Sequence, residues 1–283
     1  MEVQAPAKLN LTLDVLGKRP DGYHDLRMVM QTITLADRVV LDHTRSGEVR
    51  VQSDLTFLPS GEKNLAGAAA LRFYEALGRE CGGLDIALTK QVPVCAGMAG
   101  GSSDAAAVLR ALNELEGTPF TREQLCRIGE QVGSDVPYCV MGGTALAEGR
   151  GEVLTPLPAL PQCWVVACKP DFPISTPELF ARIDSCRVRC RPDTEGVLAA
   201  LSAGDLGGVA RRMYNVFEDV LSPRQQGPVG EIKHVLIECG ALGANMSGTG
   251  PTAFGLFDRE AAAREAFERL RLRYTDTFLT QTV

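Results

Sequence analysis

The sequence lacks several features that would place it in particular classes of protein. It has no basic excess, since 29 Lys and Arg residues stand against 35 Asp and Glu residues and the formal net charge is −6. Proteins that bind nucleic acids more usually carry a basic excess or a basic stripe, so no nucleic-acid partner is expected. No run of about 18 apolar residues is present, which argues against a membrane span. The N-terminus has no basic segment followed by an apolar stretch, so no signal peptide is expected.

Disulfide and zinc signatures are also missing. The nine cysteines are odd in number, and no pair has C-x-x-C spacing. Cys186 and Cys190 stand close together, but no histidine lies nearby to complete a zinc site. We therefore expect free thiols in a cytoplasmic protein, where the medium is reducing, and no metal site built by the chain itself.

Three common nucleotide-binding signatures are absent as well. The G-x-x-x-x-G-K-[ST] motif of P-loop NTPases does not occur, and neither do the H-R-D and D-F-G motifs of protein kinases. A dinucleotide-binding fold would need an acidic residue about 20 positions after a glycine-rich loop, at the end of a second strand. In this chain those positions fall in a polar turn and helix around Thr121. A dinucleotide oxidoreductase is therefore a weak alternative.

The sequence does contain a mixture of strand and helix patterns. Apolar and polar residues alternate over 7–15, which predicts a strand with Lys8 and Asn10 on the same face. Thr121 and Gln124 form a capping box that begins a helix, and Thr176 is expected to cap another. Further strands are predicted at 28–35, 38–42, 48–52, 84–88, 164–168, 242–246, 252–257 and 277–283. Further helices are predicted at 64–77, 104–115, 194–202, 205–220, 229–238 and 260–272.

This order of elements indicates the fold class and the domain organisation. Helices and strands are mixed rather than strictly alternating, which favours an α+β fold over a doubly wound sheet. The Gly- and Pro-rich segment 149–161 is typical of a connection between domains. We therefore predict two domains, residues 1–152 and residues 153–283.

The strongest local signal is the small-residue segment from Pro93 to Asp104, which joins a predicted strand to a predicted helix. Gly and Ala allow a ligand to approach the backbone closely, and serines are common where a helix begins. The unpaired N–H groups at a helix N-terminus favour phosphate. A tight strand-to-helix turn without a ligand is the alternative, and the two serines favour the phosphate site.

Three other segments have both a functional and a structural interpretation. Lys8 and Asn10 could serve a reaction or merely cover a solvated strand face. Asp135, in Gly-Ser-Asp-Val-Pro, could accept a proton or cap a helix. The segment Ser-Gly-Thr-Gly-Pro at 247–251 could donate to phosphates or form only a hairpin turn.

Taken together, these segments resemble the GHMP kinase superfamily. Segment 93–103 is similar to its ATP loop, P-x-x-x-G-L-G-S/G-S-S, and 247–251 to its C-terminal glycine motif. The strings P-A-K-L-N-L and R-x-D-G-Y-H, within residues 6–24, resemble a branch that acts on a cytidine diphosphate compound. The resemblance implies an N-terminal ribosomal-protein-S5-domain-2-like domain with the ATP loop and catalytic residues. It also implies a C-terminal ferredoxin-like α/β sandwich that completes the substrate pocket.

The resemblance assigns roles to individual residues. Asp135 would be the catalytic base, and Lys8 would stabilise the charge on the transferring phosphoryl group. ATP would bind to Asn64, Pro93, Val94, Cys95, Ala96, Gly97, Met98, Ala99, Gly100, Gly101, Ser102, Ser103, Gly248, Thr249 and Gly250. The substrate would bind to Asn10, Tyr23, His24, Thr176 and Phe180, with aromatic rings around the cytosine and the histidine reading its edge. Mg²⁺ would arrive with ATP, and Ser103 is a candidate ligand.

The chain departs from the family pattern at two loop positions. Ala99 stands where the family usually has Gly, and it fits if its φ is negative. Met98 replaces Leu and should pack similarly. Segment 186–192 matches nothing in the family pattern.

The implied activity is ATP-dependent phosphorylation of a 2-hydroxyl on the methylerythritol unit of a cytidine diphosphate substrate, in non-mevalonate isoprenoid biosynthesis. We expect a monomer or a weak homodimer. A homoserine or mevalonate kinase would share the ATP loop without a need for Tyr23 and His24. A non-catalytic nucleotide-binding protein would lack Lys8 or Asp135, and both are present.

Overall fold

The computed structural model describes residues 1–188 and 190–283. The strands within these residues are β1 Glu2–Lys18, β2 His24–His43, β3 Val49–Ser53, β4 Leu84–Thr89, β5 Thr144–Gly149, β6 Val153–Pro156, β7 Trp164–Lys169, β8 Tyr214–Asn215, β9 Gly243–Met246, β10 Ala253–Phe257 and β11 Asp276–Gln281. The α-helices are α1 Leu65–Leu77, α2 Gly100–Leu115, α3 Arg122–Glu130, α4 Val136–Met141, α5 Thr176–Asp184, α6 Thr194–Ser202, α7 Leu206–Arg211, α8 Pro223–Glu238 and α9 Glu260–Arg271. Short 3-10 helices occupy Gly61–Lys63 and Val216–Val220.

The chain divides into two compact units that do not follow its order. Unit 1 consists of Met1–Ala7, Leu35–Val94 and Ala99–Gly142. Unit 2 consists of Lys8–Thr34, Cys95–Met98 and Gly143–Val283. The long strands β1 and β2 thus contribute residues to both units. The domain boundary at 152/153 stays a prediction.

Unit 1 combines a small sheet with helices α1 to α4. Strand β4 pairs antiparallel with the second half of β2 and parallel with β3. Helices α1 and α2 contact each other, and small residues dominate their buried faces. Ala69 and Ala106, both completely buried, illustrate why the two helices can approach closely.

Unit 2 contains a four-stranded antiparallel sheet in the order β11-β7-β10-β9. The central strands β7 and β10 are mostly apolar, and every residue of β10 is buried. Helices α8 and α9 both contact this sheet. The first half of β2 pairs antiparallel with β5, and β1 pairs parallel with the short strand β8 at Thr12 and Leu13.

Most predicted elements are confirmed, with corrections at several boundaries. The strands predicted at 28–35 and 38–42 are one continuous strand, β2. Helix α2 begins at Gly100, four residues before the predicted start, and α8 begins at Pro223 rather than 229. Helix α5 has Ser175 as its N-cap residue, so the prediction that Thr176 caps it was wrong.

The helix predicted at 205–220 was also wrong. Helix α7 ends at Arg211 and is followed by the short strand β8 and a 3-10 helix. The physical reason is Asn215, whose buried side-chain amide donates to Met246 O and Gly248 O at 2.8 Å each, while its oxygen accepts from Phe217 N. A helical backbone at this position would not deliver the amide to those carbonyls.

Two expectations from composition are consistent with the described residues. No helix within 1–188 and 190–283 is both long and apolar enough to cross a membrane. All nine cysteines are free thiols, four of them buried. Burial raises the pKa of Cys163 to about 11 and that of Cys168 to about 12, so both thiols are protonated and unreactive at neutral pH.

Candidate active site

The small-residue segment 93–103 leads directly into helix α2. Because α2 begins at Gly100, the N–H groups of its first residues have no acceptor within the helix. Three residues of the segment have left-handed backbone: Cys95 at φ 53°, Gly97 at φ 73° and Ala99 at φ 57°. The condition that Ala99 fits if its φ is negative is therefore not met, and the residue sits where glycine would be unstrained.

Gly97 lies against the turn that joins β9 to β10. A Cβ at Gly97 would be 2.1 Å from Ser247 O, and a Cβ at Gly248 would be 2.9 Å from Gly97 O. The Ser247 hydroxyl donates to Gly97 O at 2.9 Å. The strands β9 and β10 do form a hairpin, and the structure brings its glycine-rich turn into contact with segment 95–98 of the same unit. Only glycine permits so close an approach of two backbones.

The Lys8 side chain also contacts segment 95–98. Its ammonium Nζ donates to Asn10 Oδ1 at 2.6 Å and to Gly97 O at 3.0 Å. The backbone N–H of Asn10 also contacts the turn, because it donates to Ser247 Oγ at 3.2 Å. Lys8 is 4% exposed and Asn10 is fully buried, so the alternative of a solvated strand face is excluded.

Asp135 occupies the turn before helix α4 in unit 1. It stands at the N-cap position with φ −84° and ψ −12°, yet its carboxylate makes no capping hydrogen bond to this helix within the described residues. A Cβ at neighbouring Gly133 would lie 4.0 Å from Ser102 Oγ. The turn at 133–135 is therefore close to the start of α2. The interpretation of Asp135 as only a capping residue loses its support.

Two other predicted residues already use their polar atoms within unit 1. Asn64 caps helix α1, with Oδ1 accepting from Ala66 N at 3.0 Å and Nδ2 donating to Pro59 O at 2.9 Å. Ser103 is completely buried, and its hydroxyl donates to Pro6 O at 2.7 Å. Both side chains therefore have a structural role in addition to any ligand contact.

The predicted aromatic residues cluster within unit 2. The rings of His24 and Phe180 are stacked with centroids 4.5 Å apart, and Phe217 meets Phe180 edge-on at 5.0 Å. Tyr23 is 56% exposed, and the Arg150 guanidinium lies 5.2 Å from its ring centroid. The rings of His24 and Phe180 are thus brought together, and His24 covers a face of Phe180.

A cavity of about 390 Å³ lies beside His24. Its lining includes Asp184, Arg187 and Arg191, so part of the unassigned segment 186–192 borders this space. His24 Nε2 lies 2.7 Å from Asp184 Oδ1, and Lys18 Nζ donates to Asp184 Oδ2 at 2.8 Å. The hydrogen bonds from Lys18 and His24 lower the pKa of Asp184, which keeps it anionic.

Thr176, like Asn10, is a predicted substrate residue that contacts the glycine-rich turn. Its Oγ1 lies 2.9 Å from Thr249 Oγ1 at the exposed start of α5. Because each hydroxyl both donates and accepts, the pair can also bind a ligand oxygen without breaking.

Comparisons with known proteins identify the family of this chain. The GHMP kinases N terminal domain matches residues 64–143, and the GHMP kinases C terminal matches residues 197–276. A 4-diphosphocytidyl-2-C-methyl-D-erythritol kinase from Exiguobacterium sibiricum is 47% identical, covering 95% of this chain and 93% of that protein. The chain belongs to the 4-diphosphocytidyl-2-C-methyl-D-erythritol kinase family of GHMP kinases. The predicted α+β, two-part GHMP kinase fold is thereby confirmed.

Two solved structures have the same fold as this chain. A crystal structure of 4-(cytidine 5'-diphospho)-2C-methyl-D-erythritol kinase superposes with a TM-score of 0.82 at 34% identity, covering 100% of this chain and 99% of that chain. A homoserine kinase from Cytophaga hutchinsonii gives a TM-score of 0.77 at 22% identity, covering 100% and 94%. At that identity the second likeness concerns the fold alone.

Some residues around these groups carried no sequence signal. The Asn215 amide donates to the glycine-rich turn. Asp184 is hydrogen-bonded to His24, and the Arg150 guanidinium lies over the ring of Tyr23. Each acts on a side chain or carbonyl far away along the chain. A buried asparagine in an apolar stretch, such as Asn215, is the one feature that could have attracted attention.

Within the described parts of the chain, no three His, Cys, Asp or Glu side chains lie close enough to hold an ion. Ser103, the candidate ligand, is buried and hydrogen-bonded to Pro6 O. Ser102, one residue earlier, is partly exposed, and the role of Ser103 as a metal ligand stays a prediction.

Proposed function

We propose that this chain transfers the γ-phosphate of ATP to the 2-hydroxyl of 4-diphosphocytidyl-2-C-methyl-D-erythritol, giving the 2-phosphate and ADP. The observation that carries the proposal is the full-length similarity to kinases of that name, at 41–47% identity. The glycine-rich turn packed on segment 95–98, with a buried lysine bonded to both, supports phosphoryl transfer as the chemistry.

Asp135 is proposed as the catalytic base. Its carboxylate would take the proton as the substrate oxygen forms its bond to the γ-phosphorus and the bond to the bridging oxygen of ADP breaks. Phosphoryl transfer depends mainly on positioning and charge stabilisation, because its transition state is loose. The Lys8 ammonium, held by Asn10 Oδ1 and Gly97 O, would neutralise the charge that develops on the phosphoryl oxygens.

The phosphates of ATP are proposed to bind the first-turn N–H groups of α2 and the glycine-rich turn. A helix N-terminus offers unpaired donors and a positive dipole end to an anion. Gly248 and Gly250, at φ 56° and 78°, turn the backbone of the hairpin there without a side chain in the way. Mg²⁺ is proposed to enter as part of the nucleotide complex, where it would neutralise phosphate charge, with Ser103 as the candidate ligand from the family resemblance and the partly exposed Ser102 beside it.

The cytosine of the substrate is proposed to bind beside Tyr23, His24 and Phe180. Exposed Tyr23 offers a stacking surface, while His24 has a ring nitrogen for the base edge beyond the one bonded to Asp184. Thr176 and Asn10 would contact the remaining polar groups of the substrate. We also propose the domain boundary at 152/153, a cytoplasmic location and a monomer or weak homodimer.

The test is ADP release with Mg·ATP and the cytidine substrate, with homoserine, mevalonate and galactose as parallel controls. Release with the cytidine substrate alone would support the whole proposal. Release with another alcohol would keep the kinase but overturn the substrate. Absence of release with any of them would favour a nucleotide-binding protein without catalysis.

Two variants test the residue roles. Asp135→Asn should abolish turnover while leaving ATP binding intact, and a variant that kept most of its kcat would remove Asp135 as the base. His24→Ala should mainly raise KM for the cytidine substrate, since it removes the group that reads the base edge. An unchanged KM would show that His24 does not contact the base.

A further inference from the structure

A buried charged cluster in unit 1 has no part in the proposed chemistry. Lys90 Nζ donates to Asp37 Oδ2 and to Asp104 Oδ2. The side chains of Lys90, Asp37 and Asp104 are 4%, 0% and 3% exposed. Removing three charges from water is expensive, and buried ion pairs often contribute little net stability. Such a cluster calls for another explanation.

Asp37 holds the chain that enters segment 93–103. Its Oδ1 accepts hydrogen bonds from Gln91 N at 2.6 Å and from Val92 N at 2.8 Å. Lys90, which bonds its other oxygen, is the residue just before these two. One completely buried carboxylate therefore fixes three consecutive residues at the end of β4. Their backbone cannot shift without leaving a buried charge unpaired.

The Asp37 carboxylate also lies close to Gly100, where segment 93–103 enters helix α2. A Cβ at Gly100 would be 3.6 Å from Asp37 Oδ2 and 3.1 Å from Val92 Cγ1. Asp104, in the first turns of α2, is tied to Asp37 through Lys90. Both ends of segment 93–103 are thus fastened to one point on β2.

The segment needs such fastening because its backbone is strained. Cys95 and Ala99 are non-glycine residues in the left-handed region, at φ 53° and 57°. Each such residue costs roughly 1–2 kcal/mol, and strain of this kind persists only where the surroundings enforce it. Without fixed ends, the segment would relax to other conformations.

We propose that Asp37, bridged by Lys90 to Asp104, is a positioning residue that preorganises segment 93–103 for the phosphates of ATP. The inference rests on the proposed nucleotide role of this segment. Asp37 acts through the backbone N–H groups of residues 91 and 92, and through Lys90 on Asp104 in α2. Loss of this fastening lowers the fraction of molecules whose segment is ready to bind, and the apparent affinity for ATP falls by that fraction.

The three side chains of the cluster are not equivalent. Both oxygens of Asp37 accept hydrogen bonds, whereas Asp104 Oδ1 is buried without a hydrogen-bond partner among the described residues. Burial, together with the nearby Asp37 charge, outweighs the attraction of Lys90 and raises the pKa of Asp104 to about 7. A neutral side chain is therefore tolerated at 104 much better than at 37, where an amide nitrogen would face the Lys90 ammonium.

The test compares Asp37→Asn with Asp104→Asn and with Asp42→Asn, an exposed position on the same strand. We expect Asp37→Asn to raise KM for ATP, and the Kd of a non-hydrolysable ATP analogue by calorimetry, about tenfold. Both kcat and KM for the cytidine substrate should stay within about twofold of wild type. Once ATP is bound, segment 93–103 has the same geometry in the variant as in wild type. Asp104→Asn should have a smaller effect on ATP, and Asp42→Asn should have none.

Several outcomes would overturn the inference. A folded Asp37→Asn variant with unchanged KM for ATP would do so, as would equal losses for both substrates, which indicate general damage. An Asp104→Asn effect as large as that of Asp37→Asn would remove the special role of Asp37. If Asp37→Asn does not fold, Lys90→Gln, which keeps the bonds to Gln91 N and Val92 N, must still raise KM for ATP. Failure of the wild-type chain to bind the analogue would instead contradict the proposed function.

Discussion

Gly97→Ala should damage this protein severely, because Gly97 combines a left-handed backbone with the closest approach in the proposed site. At φ 73° an alanine costs roughly 1–2 kcal/mol relative to glycine. Its Cβ would also lie 2.1 Å from Ser247 O and 3.1 Å from Gly250 N, so the backbone of the turn must move. Overpacking of this kind typically costs about 1–3 kcal/mol more.

The two effects together lower the free energy of unfolding by about 2–5 kcal/mol. For a chain of this size, that corresponds to a fall in Tm of roughly 3–8 °C in a thermal unfolding experiment. Ala99→Gly is the matched control, since it removes left-handed strain two residues away. It should raise Tm slightly, because the relief of strain exceeds the added freedom of the unfolded chain. A Gly97→Ala variant within about 1 °C of wild type would refute the packing of 97 on the turn.

Three further changes test other parts of the structure. Because the pKa of Asp104 is raised from 3.8 to about 7, its proton stabilises the folded state below pH 4, and this contribution is lost as pH rises through about 7. Wild type should therefore lose Tm relative to Asp104→Asn between pH 4.5 and 7.5, and parallel curves would contradict the pKa. Asp184→Asn should raise KM for the cytidine substrate about fivefold without affecting KM for ATP, because it weakens the hydrogen bond that orients the His24 ring. Steady-state kinetics with each substrate varied in turn measure the two KM values. Thr121→Ala should lower the free energy of unfolding in urea by about 1 kcal/mol through loss of the capping box, with kcat unchanged, and a larger loss would indicate contacts beyond the cap.

Local chemistry made part of this structure predictable. The capping box at Thr121 and Gln124 is formed as the sequence indicates, because both partners lie within one turn of each other. The shared face of Lys8 and Asn10 followed from the period of two along a strand, and their side chains do meet. The hairpin around 247–251 was equally readable from its glycines and proline.

Other features depend on residues that are distant in sequence. The alternating pattern of β1 is typical of a strand with one solvated face, but Lys8 and Asn10 are buried. Lys8 contacts Gly97, which lies 89 residues further along the chain. Asn10 contacts Ser247, which lies 237 residues further along. No local pattern contains that information.

The backbone angle of Ala99 and the end of α7 illustrate the same limit. Alanine favours negative φ, and only the fixed ends of segment 93–103 make the positive value tolerable. The apolar spacing around 205–220 is compatible with a helix, but the amide of Asn215 is needed at two carbonyls of another strand and turn. Tertiary contacts override local preference in both cases.

The interleaved order of the two units has a consequence for synthesis on the ribosome. All residues of unit 1 have been translated once Gly142 has been added, whereas unit 2 requires both Lys8–Thr34 and the segment that ends at Val283. The early strands β1 and β2 contact each other, but their further partners β5 and β8 are translated more than a hundred residues later, and Gln31, whose amide donates to Val283 O, waits for the last residue. During that interval Leu9, Leu11 and Leu13 are an apolar strand without its final neighbours, a segment that a nascent-chain chaperone would recognise. Truncation near the C-terminus should then harm the N-terminal strands first.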